Sequence, residues 1–197
     1  ALIPCGQYFG GRSVPMNGIA LVSTAPQHRG SGAASALLRE TMHELRTEGW
    51  AISSLYPATV PLYRRAGYEL AGSRHEINLH LREMNMNDRE MDVRPIAPGD
   101  HRELEALHRE RCVRLPGNVD RTEFFWKRIA SRRGDPAQGY AIVNDSGTIE
   151  GAVHCLYRPS ETSHYEVHLT DYLASTPAAA RRLLTFLQDH FTLAETA

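Results

Sequence analysis

The stretch APQHRGSGAASALLRE, from Ala25 to Glu40, decides how the first part of this chain folds. It follows the β-rich run NGIALVST and enters an Ala/Leu-rich helix without a spacer. Gly30 and Gly32 leave the backbone bare in front of the helix, whose first amides lack intrahelical partners and lie at its positive end. Such a turn can bind a phosphate, although an ordinary tight turn is the commoner explanation of an isolated pair of glycines.

Outward from this turn, strands and helices alternate up to about residue 81, which is an α/β pattern. The helix has a largely apolar stripe formed by Ala34, Leu37, Leu38, Thr41 and Leu45, which predicts packing on a sheet. The expected strands are Val14 to Thr24, Ala51 to Leu55 and Tyr68 to Leu81, and the expected helices are Ser31 to Glu48 and Thr59 to Ala66.

The charged stretch REMNMNDREMD, Arg82 to Asp92, has no hydrophobic periodicity and predicts a linker. We therefore expect domains at residues 1–83 and 93–197, joined by residues 84–92. Asp100 and Asp120 each precede a helix with a glutamate three residues on, a typical helix start. Three strands and a helix follow, at Tyr140 to Val143, Ile149 to Tyr157, His164 to Leu173 and Ala178 to His190.

Composition excludes several classes of partner. The chain has 197 residues, 42% of them hydrophobic, and its 22 basic and 23 acidic residues form no basic stripe, so we expect no nucleic-acid partner. No apolar run approaches the roughly 20 residues of a membrane helix. Three cysteines without C-x-x-C spacing indicate reduced, buried thiols and a cytoplasmic protein. His164, Glu166 and His168 alternate on one strand face, but a solvated face explains them better than a metal site, and we expect no metal.

A second segment, SSLYPATVPLYRRAGYELAG from Ser53 to Gly72, changes the interpretation of the glycine turn. Together the two segments resemble the GCN5-related N-acetyltransferase (GNAT) superfamily. There, V-x-P and then [QR]-x-x-G-x-[GA] precede a helix that binds coenzyme A pyrophosphate, and a later Y-x-x-x-G-[YF] includes a tyrosine beside the thioester. QYFGGRSVPMNGIALVSTAP, from Gln7 to Pro26, is similar to the enhanced-intracellular-survival (Eis) branch, whose members acetylate amines on aminoglycosides or protein lysines.

The resemblance implies an α+β sandwich with tandem acyl-CoA N-acyltransferase folds, the first lacking its N-terminal strands and helices and the second non-catalytic. Family members continue into a sterol-carrier-like domain, so we expect the chain to be truncated at both ends. The family's general base is its own C-terminal carboxylate, a role that Ala197 does not inherit. A homo-oligomer is expected for the longer protein, with acetyl-CoA as cosubstrate and an amine as acceptor.

Residues are carried over by position. The resemblance assigns Tyr63 the role of proton donor to the leaving thiolate. An isolated tyrosine would more often be a core residue, and for Tyr56 and Tyr68 we keep the simpler roles of lining the acceptor pocket and packing on the sheet. The expected cofactor contacts are Val22, Ser23 and Thr24 along the pantetheine arm, Arg29, Gly30, Ser31, Gly32, Ala33, Ala34 and Ser35 at the pyrophosphate, and Ala58 and Thr59 near the second helix.

Two functions remain open on this basis. The first is an N-acetyltransferase that moves an acetyl group from acetyl-CoA to an aminoglycoside, polyamine or lysine amine by direct transfer. The second is a non-catalytic coenzyme A-binding or oligomer-assembly module. In either case the second domain should not bind coenzyme A, because its equivalent junction, TDYLASTPAAARRLL from Thr170 to Leu184, has no glycine and contains Pro177, which lacks an N–H.

Overall fold

The computed structural model describes residues 1–197 and divides into two compact units. The first unit comprises Ala1–His75 and Cys112–Thr122, and the second comprises Glu76–Arg111 and Glu123–Ala197. The helices are α1 (Ala33–Thr47), α2 (Val60–Arg64), α3 (His101–Arg114), α4 (Glu123–Ala130) and α5 (Pro177–Gln188). The strands are β1 (Leu2–Phe9), β2 (Arg12–Ile19), β3 (Ile52–Leu55), β4 (Asp92–Pro95), β5 (Val119–Asp120), β6 (Ser131–Arg132), β7 (Asp135–Pro136), β8 (Gln138–Val143), β9 (Ile149–Pro159) and β10 (Tyr165–Ala174).

A four-stranded sheet in the order β3-β2-β1-β5 forms the centre of the first unit. β1 and β2 make an antiparallel hairpin, whereas β3 runs parallel to β2 with Ile19 opposite Leu55. Parallel neighbours need a crossover connection, and α1 provides it. Ile19, Leu38 and Tyr63 form the buried cluster that joins this sheet to α1 and α2. The carboxyl ends of β2 and β3 therefore lie at the same edge of the sheet.

Helix α1 starts and ends close to the expected residues, but its apolar stripe is shifted. Leu38 and Leu45 are buried, and Met42 packs against the cluster around Leu38. Leu37, which we expected on the stripe, is 57% exposed. Leu38 and Met42 face the sheet. Because successive helical residues are about 100° apart, Leu37 then lies at the margin of the face that packs on the sheet.

Two expected strands differ in the structure. β2 ends at Ile19, five residues before the expected end at Thr24. The strand expected from Tyr68 to Leu81 does not form, apart from a bridge between His80 and Thr196. The segment does not pair with the open outer side of β3, and residues 69–78 are exposed, so it has neither ladder hydrogen bonds nor a buried face.

The second unit is a sheet with helices on both faces. Its strands are antiparallel in the order β10-β9-β8-β4. Alternation along β8 points Ala141 and Val143 toward α3 and α4, and Ile142 toward α5. This arrangement is the α+β sandwich expected from the sequence. The charged stretch expected as a linker lies within this unit, where Met91 is buried and the backbone N–H of Met86 donates to Gln188 at 2.6 Å.

Candidate active site

The glycine turn has the backbone geometry that only glycine adopts easily. A 3-10 turn over Pro26–His28 leads to Gly30, with φ 83°, and to Gly32, the N-cap of α1, with φ 82°. A Cβ added at either glycine would meet no atom within 4 Å. The positive φ angles, rather than crowding, therefore explain the two glycines, and the space beside the turn is open to a ligand.

Several amide groups of this turn point to no acceptor in the protein. The Ser31 hydroxyl donates to the His28 carbonyl at 2.8 Å and accepts from the Ala33 N–H at 3.4 Å. The amides without an intramolecular acceptor belong to Gly30, Gly32, Ala34 and Ser35. Arg29 beside them is exposed and has no ion-pair partner. Free N–H groups at the positive end of a 15-residue helix, next to a cation, suit an anion.

The other expected cofactor residues flank the same sheet edge. Val22, Ser23 and Thr24 follow β2 and do not belong to it, and Val22 packs against the cluster that contains Tyr63. Ala58 and Thr59 follow β3 and are exposed, and Thr59 is the N-cap of α2 without a side-chain hydrogen bond. Because β2 and β3 are parallel, both segments leave the sheet at its carboxyl edge.

Tyr63 lies on α2, and its side chain is only 7% exposed. Its carbonyl accepts hydrogen bonds from the N–H groups of Ala66 at 2.9 Å and Tyr68 at 3.1 Å, so the turn after the helix is built on this residue. The rings of Tyr63 and Tyr68 meet edge to face with centroids 6.2 Å apart. The backbone and the ring of Tyr63 are thus both fixed.

Tyr68 has a larger part in the site than sheet packing, the role expected from the sequence. It lies outside any strand, and its hydroxyl is 2.6 Å from the Ser53 hydroxyl on β3. Burial raises the pKa of the Tyr68 phenol, and the hydrogen bond with Ser53 partly offsets that effect. Sequence reasoning missed this pair because the two residues are 15 positions apart and no local pattern links them.

A cavity of about 460 Å³ opens between β3, α2 and residues 68–74, and Tyr63 and Tyr68 line it. Its charged lining residues are Arg64, Glu69 and Arg74. Arg64 donates to Glu69 at 2.6 Å and lowers the pKa of that carboxyl group. Arg74 has no carboxylate partner and lies over the Tyr56 ring, 5.7 Å from its centroid. The residues of the glycine turn are not part of the lining.

The equivalent junction in the second unit is closed by its own side chains. The Thr176 hydroxyl accepts the Ala179 N–H at 3.1 Å and donates to the Glu150 carboxylate at 2.8 Å. Pro177 occupies the next position, at the start of α5. A carboxylate and a filled cap are unfavourable for an anionic ligand, and the absence of coenzyme A from this junction stays a prediction.

The remaining candidates are the alternating His and Glu side chains of one strand and the cysteines. Glu166 and His168 pair with each other at 3.0 Å, and no group of three or more His, Cys, Asp or Glu side chains is arranged to hold a metal ion. The three cysteines are free and buried, as expected. Burial raises the pKa of the Cys155 thiol to about 12. No helix is long and apolar enough to span a bilayer.

Residues 1–71 and residues 117–197 match two different family models, each described as an acetyltransferase (GNAT) domain. N-acetyltransferase Eis of Mycobacterium tuberculosis is 24% identical over 178 residues, which are 84% of this chain and 43% of that protein.

Two solved structures have the same fold over almost the whole chain. A GCN5-related N-acetyltransferase from Anabaena variabilis has a TM-score of 0.89 and 27% identity, over 100% of this chain and 50% of that one. A GCN5-related N-acetyltransferase from Kribbella flavida has a TM-score of 0.78 and 30% identity, over 99% of this chain and 47% of that one. This chain spans about half the length of these relatives. With two GNAT domain matches that together cover more than half of its residues, it belongs to the GCN5-related N-acetyltransferase superfamily.

Proposed function

We propose that this chain is the cofactor-binding and proton-donating part of an N-acetyltransferase that moves an acetyl group from acetyl-CoA to a primary amine by direct transfer. The observation that supports it most is the pairing of two features at one sheet edge. β2 leads to a turn of unbonded amides, and β3 leads to the helix that holds Tyr63 in a cavity.

The residues present fit coenzyme A. Gly30, Gly32 and the first turn of α1 offer N–H groups to a diphosphate, and Arg29 adds a positive charge. The backbone of Val22, Ser23 and Thr24 would pair with the pantetheine arm, and Ala58 and Thr59 would contact the cofactor from the β3 side. Acetyl-CoA supplies the thioester from which the acetyl group is transferred.

Tyr63 is the proposed general acid. When the amine nitrogen forms its bond to the acetyl carbon, the carbon–sulfur bond breaks and the departing thiolate needs a proton. The Tyr63 hydroxyl would donate it, and the attacking amine would give up its own proton to the general base that the family resemblance implies outside this chain. Fixing the ring against Tyr68 keeps that donor in one place, which is what efficient proton transfer requires.

The acceptor, the assembly and the compartment stay predictions from the sequence. The resemblance predicts an aminoglycoside, a polyamine or a protein lysine as acceptor and a homo-oligomer for the longer protein, and the cysteine pattern predicts the cytoplasm. N-acetyltransferase Eis of Mycobacterium tuberculosis, one of the relatives, is itself named for this reaction class.

Release of free coenzyme A thiol in the presence of a panel of amines tests the proposal. Tyr63→Phe keeps the ring and its packing but removes the proton, so we expect the turnover rate to fall about 10²–10⁴-fold, or about 3–5 kcal/mol of barrier, with coenzyme A affinity nearly unchanged. Tyr172→Phe is the matched control, because Tyr172 is an exposed tyrosine of the second unit.

Wild-type turnover in Tyr63→Phe across the pH range would contradict the role of Tyr63. If coenzyme A binds by calorimetry but no amine in the panel releases thiol, the chain is instead a non-catalytic coenzyme A-binding module. If the wild-type chain neither binds coenzyme A nor releases thiol, only the oligomer-assembly alternative remains.

A further inference from the structure

The cavity lined by Tyr63 and Tyr68 has one more positive than negative side chain in its lining. Its three charged lining residues are Arg64, Glu69 and Arg74. Arg64 and Glu69 neutralise each other through two short contacts, with Arg64 Nε at 2.9 Å and Nη2 at 2.6 Å from the same carboxylate oxygen. The Arg74 guanidinium has no carboxylate within ion-pair distance, so the cavity has one uncompensated positive charge.

The Arg74 side chain is also held by a contact with an aromatic ring. Its guanidinium lies over the Tyr56 ring at 5.7 Å from the centroid, and Tyr56 is a lining residue of the same cavity. A planar guanidinium on an aromatic face keeps its N–H edges available for two parallel hydrogen bonds to a carboxylate or phosphate. The remaining polar lining groups are the carboxamide of Gln7 and the hydroxyls of Ser53, Ser54, Ser73 and the tyrosines.

We infer that Arg74 is the anion subsite of the acceptor pocket, and that the acceptor is a small primary amine with a carboxylate or phosphate group at its other end. This inference rests on the proposed reaction, with the acceptor amine beside Tyr63, but it replaces the polycationic acceptors, aminoglycosides and polyamines, that the family resemblance predicts. A polycationic acceptor would bring a second positive charge to Arg74, and no unpaired carboxylate of the cavity offsets that repulsion.

Three amines of nearly equal length show whether the cavity prefers an anionic, a neutral or a cationic acceptor. They are δ-aminovalerate, which has a carboxylate, its carboxamide, which is neutral at that end, and cadaverine, which has a second ammonium. Their dissociation constants are measured by saturation-transfer NMR on the whole chain in the presence of coenzyme A. This measurement needs no turnover, so it is independent of the thiol-release assay that tests the proposed function.

We expect the wild-type chain to bind δ-aminovalerate about fivefold more tightly than the carboxamide, as for an exposed charge pair, and cadaverine most weakly. Arg74→Gln should bring the ratio of acid to amide to about one. Arg65→Gln is the matched control, because Arg65 ends α2 without lining the cavity, and it should keep the wild-type ratio.

Equal binding of acid and amide by the wild-type chain would overturn the inference, as would a preference that survives Arg74→Gln. If Arg74→Gln instead weakens coenzyme A without changing the ratio, Arg74 serves the cofactor and the inference is wrong. A clear acid preference without thiol release from any amine would support the anion subsite and contradict the proposed reaction.

Discussion

Gly32 combines two requirements at a single residue. Its φ of 82° is costly for side chains with a Cβ, and its position at the start of α1 brings the backbone next to the proposed diphosphate. Among non-glycine residues, Asn and Asp tolerate this conformation best, and both are good N-caps. The two substitutions therefore differ in charge and hardly in backbone strain.

We predict that Gly32→Asp weakens coenzyme A binding about fivefold relative to Gly32→Asn. Repulsion between two charges at contact distance in water is about 1 kcal/mol. Calorimetry gives the two dissociation constants, and thermal unfolding shows whether the variants are equally stable. Similar affinities for the Asp and Asn variants would place the diphosphate elsewhere.

At the scale of elements, α1 could be predicted from the sequence to within two residues at each end, because its glycine start, apolar stripe and Gly49 stop are local signals. The strand from Tyr68 to Leu81 could not. Strand formation depends on pairing with a distant segment, which the local pattern does not specify, and residues 68–81 do not pair with the open outer side of β3. The contact between Ser53 and Tyr68 could not be predicted either, because it depends on how the segment after α2 returns to β3.

A buried thiol on β9 makes the stability of the second unit depend on pH. Cys155 is 0% exposed, and burial raises its pKa to about 12. In the unfolded chain the thiol ionises near its ordinary pKa of about 8.5. The folded-state pKa is the higher one. The stability that the neutral, buried thiol contributes is therefore fully present below pH about 8.5 and is lost as the pH rises toward about 12.

We therefore predict that the free energy of unfolding falls between about pH 8 and 9.5, with a contribution from Cys155 that approaches 1.4 kcal/mol per pH unit. Urea denaturation at several pH values measures it. Cys155→Ala should be less stable at pH 8 because it leaves a small cavity, yet its stability should depend less on pH. An identical slope in the two proteins would refute the assignment to Cys155.

The whole molecule contains two GNAT domain matches with different backbone geometry at corresponding junctions. In the first, the strand leads to a turn with two positive-φ glycines and four amides without acceptors, those of Gly30, Gly32, Ala34 and Ser35. In the second, the strand leads directly to Thr176 and Pro177, and Glu150 is hydrogen-bonded to the cap. A repeated fold therefore does not imply a repeated ligand site.

The sequence allowed this contrast to be predicted, because glycine and proline act on the backbone locally. It did not indicate Glu150, which comes from the neighbouring strand 26 residues earlier and adds a negative charge to the junction. The Asn144 amide donates to the same carboxylate at 2.7 Å, so Glu150 is held in place from both sides. Coenzyme A phosphates would meet this carboxylate and only part of a helix N-terminus.

We predict that the chain binds one coenzyme A, at the first unit. Calorimetric titration should give a stoichiometry near one, and Gly32→Asp should weaken that single event. Glu150→Gln removes the negative charge at the second junction but leaves Pro177 without an N–H, so it should not create a second site. A wild-type stoichiometry near two, or a crystal soaked with coenzyme A that shows a diphosphate at the start of α5, would contradict the prediction. A stoichiometry near two would mean that both units bind coenzyme A. A diphosphate at the start of α5 would mean that the Thr176 cap and the Glu150 carboxylate do not exclude the cofactor.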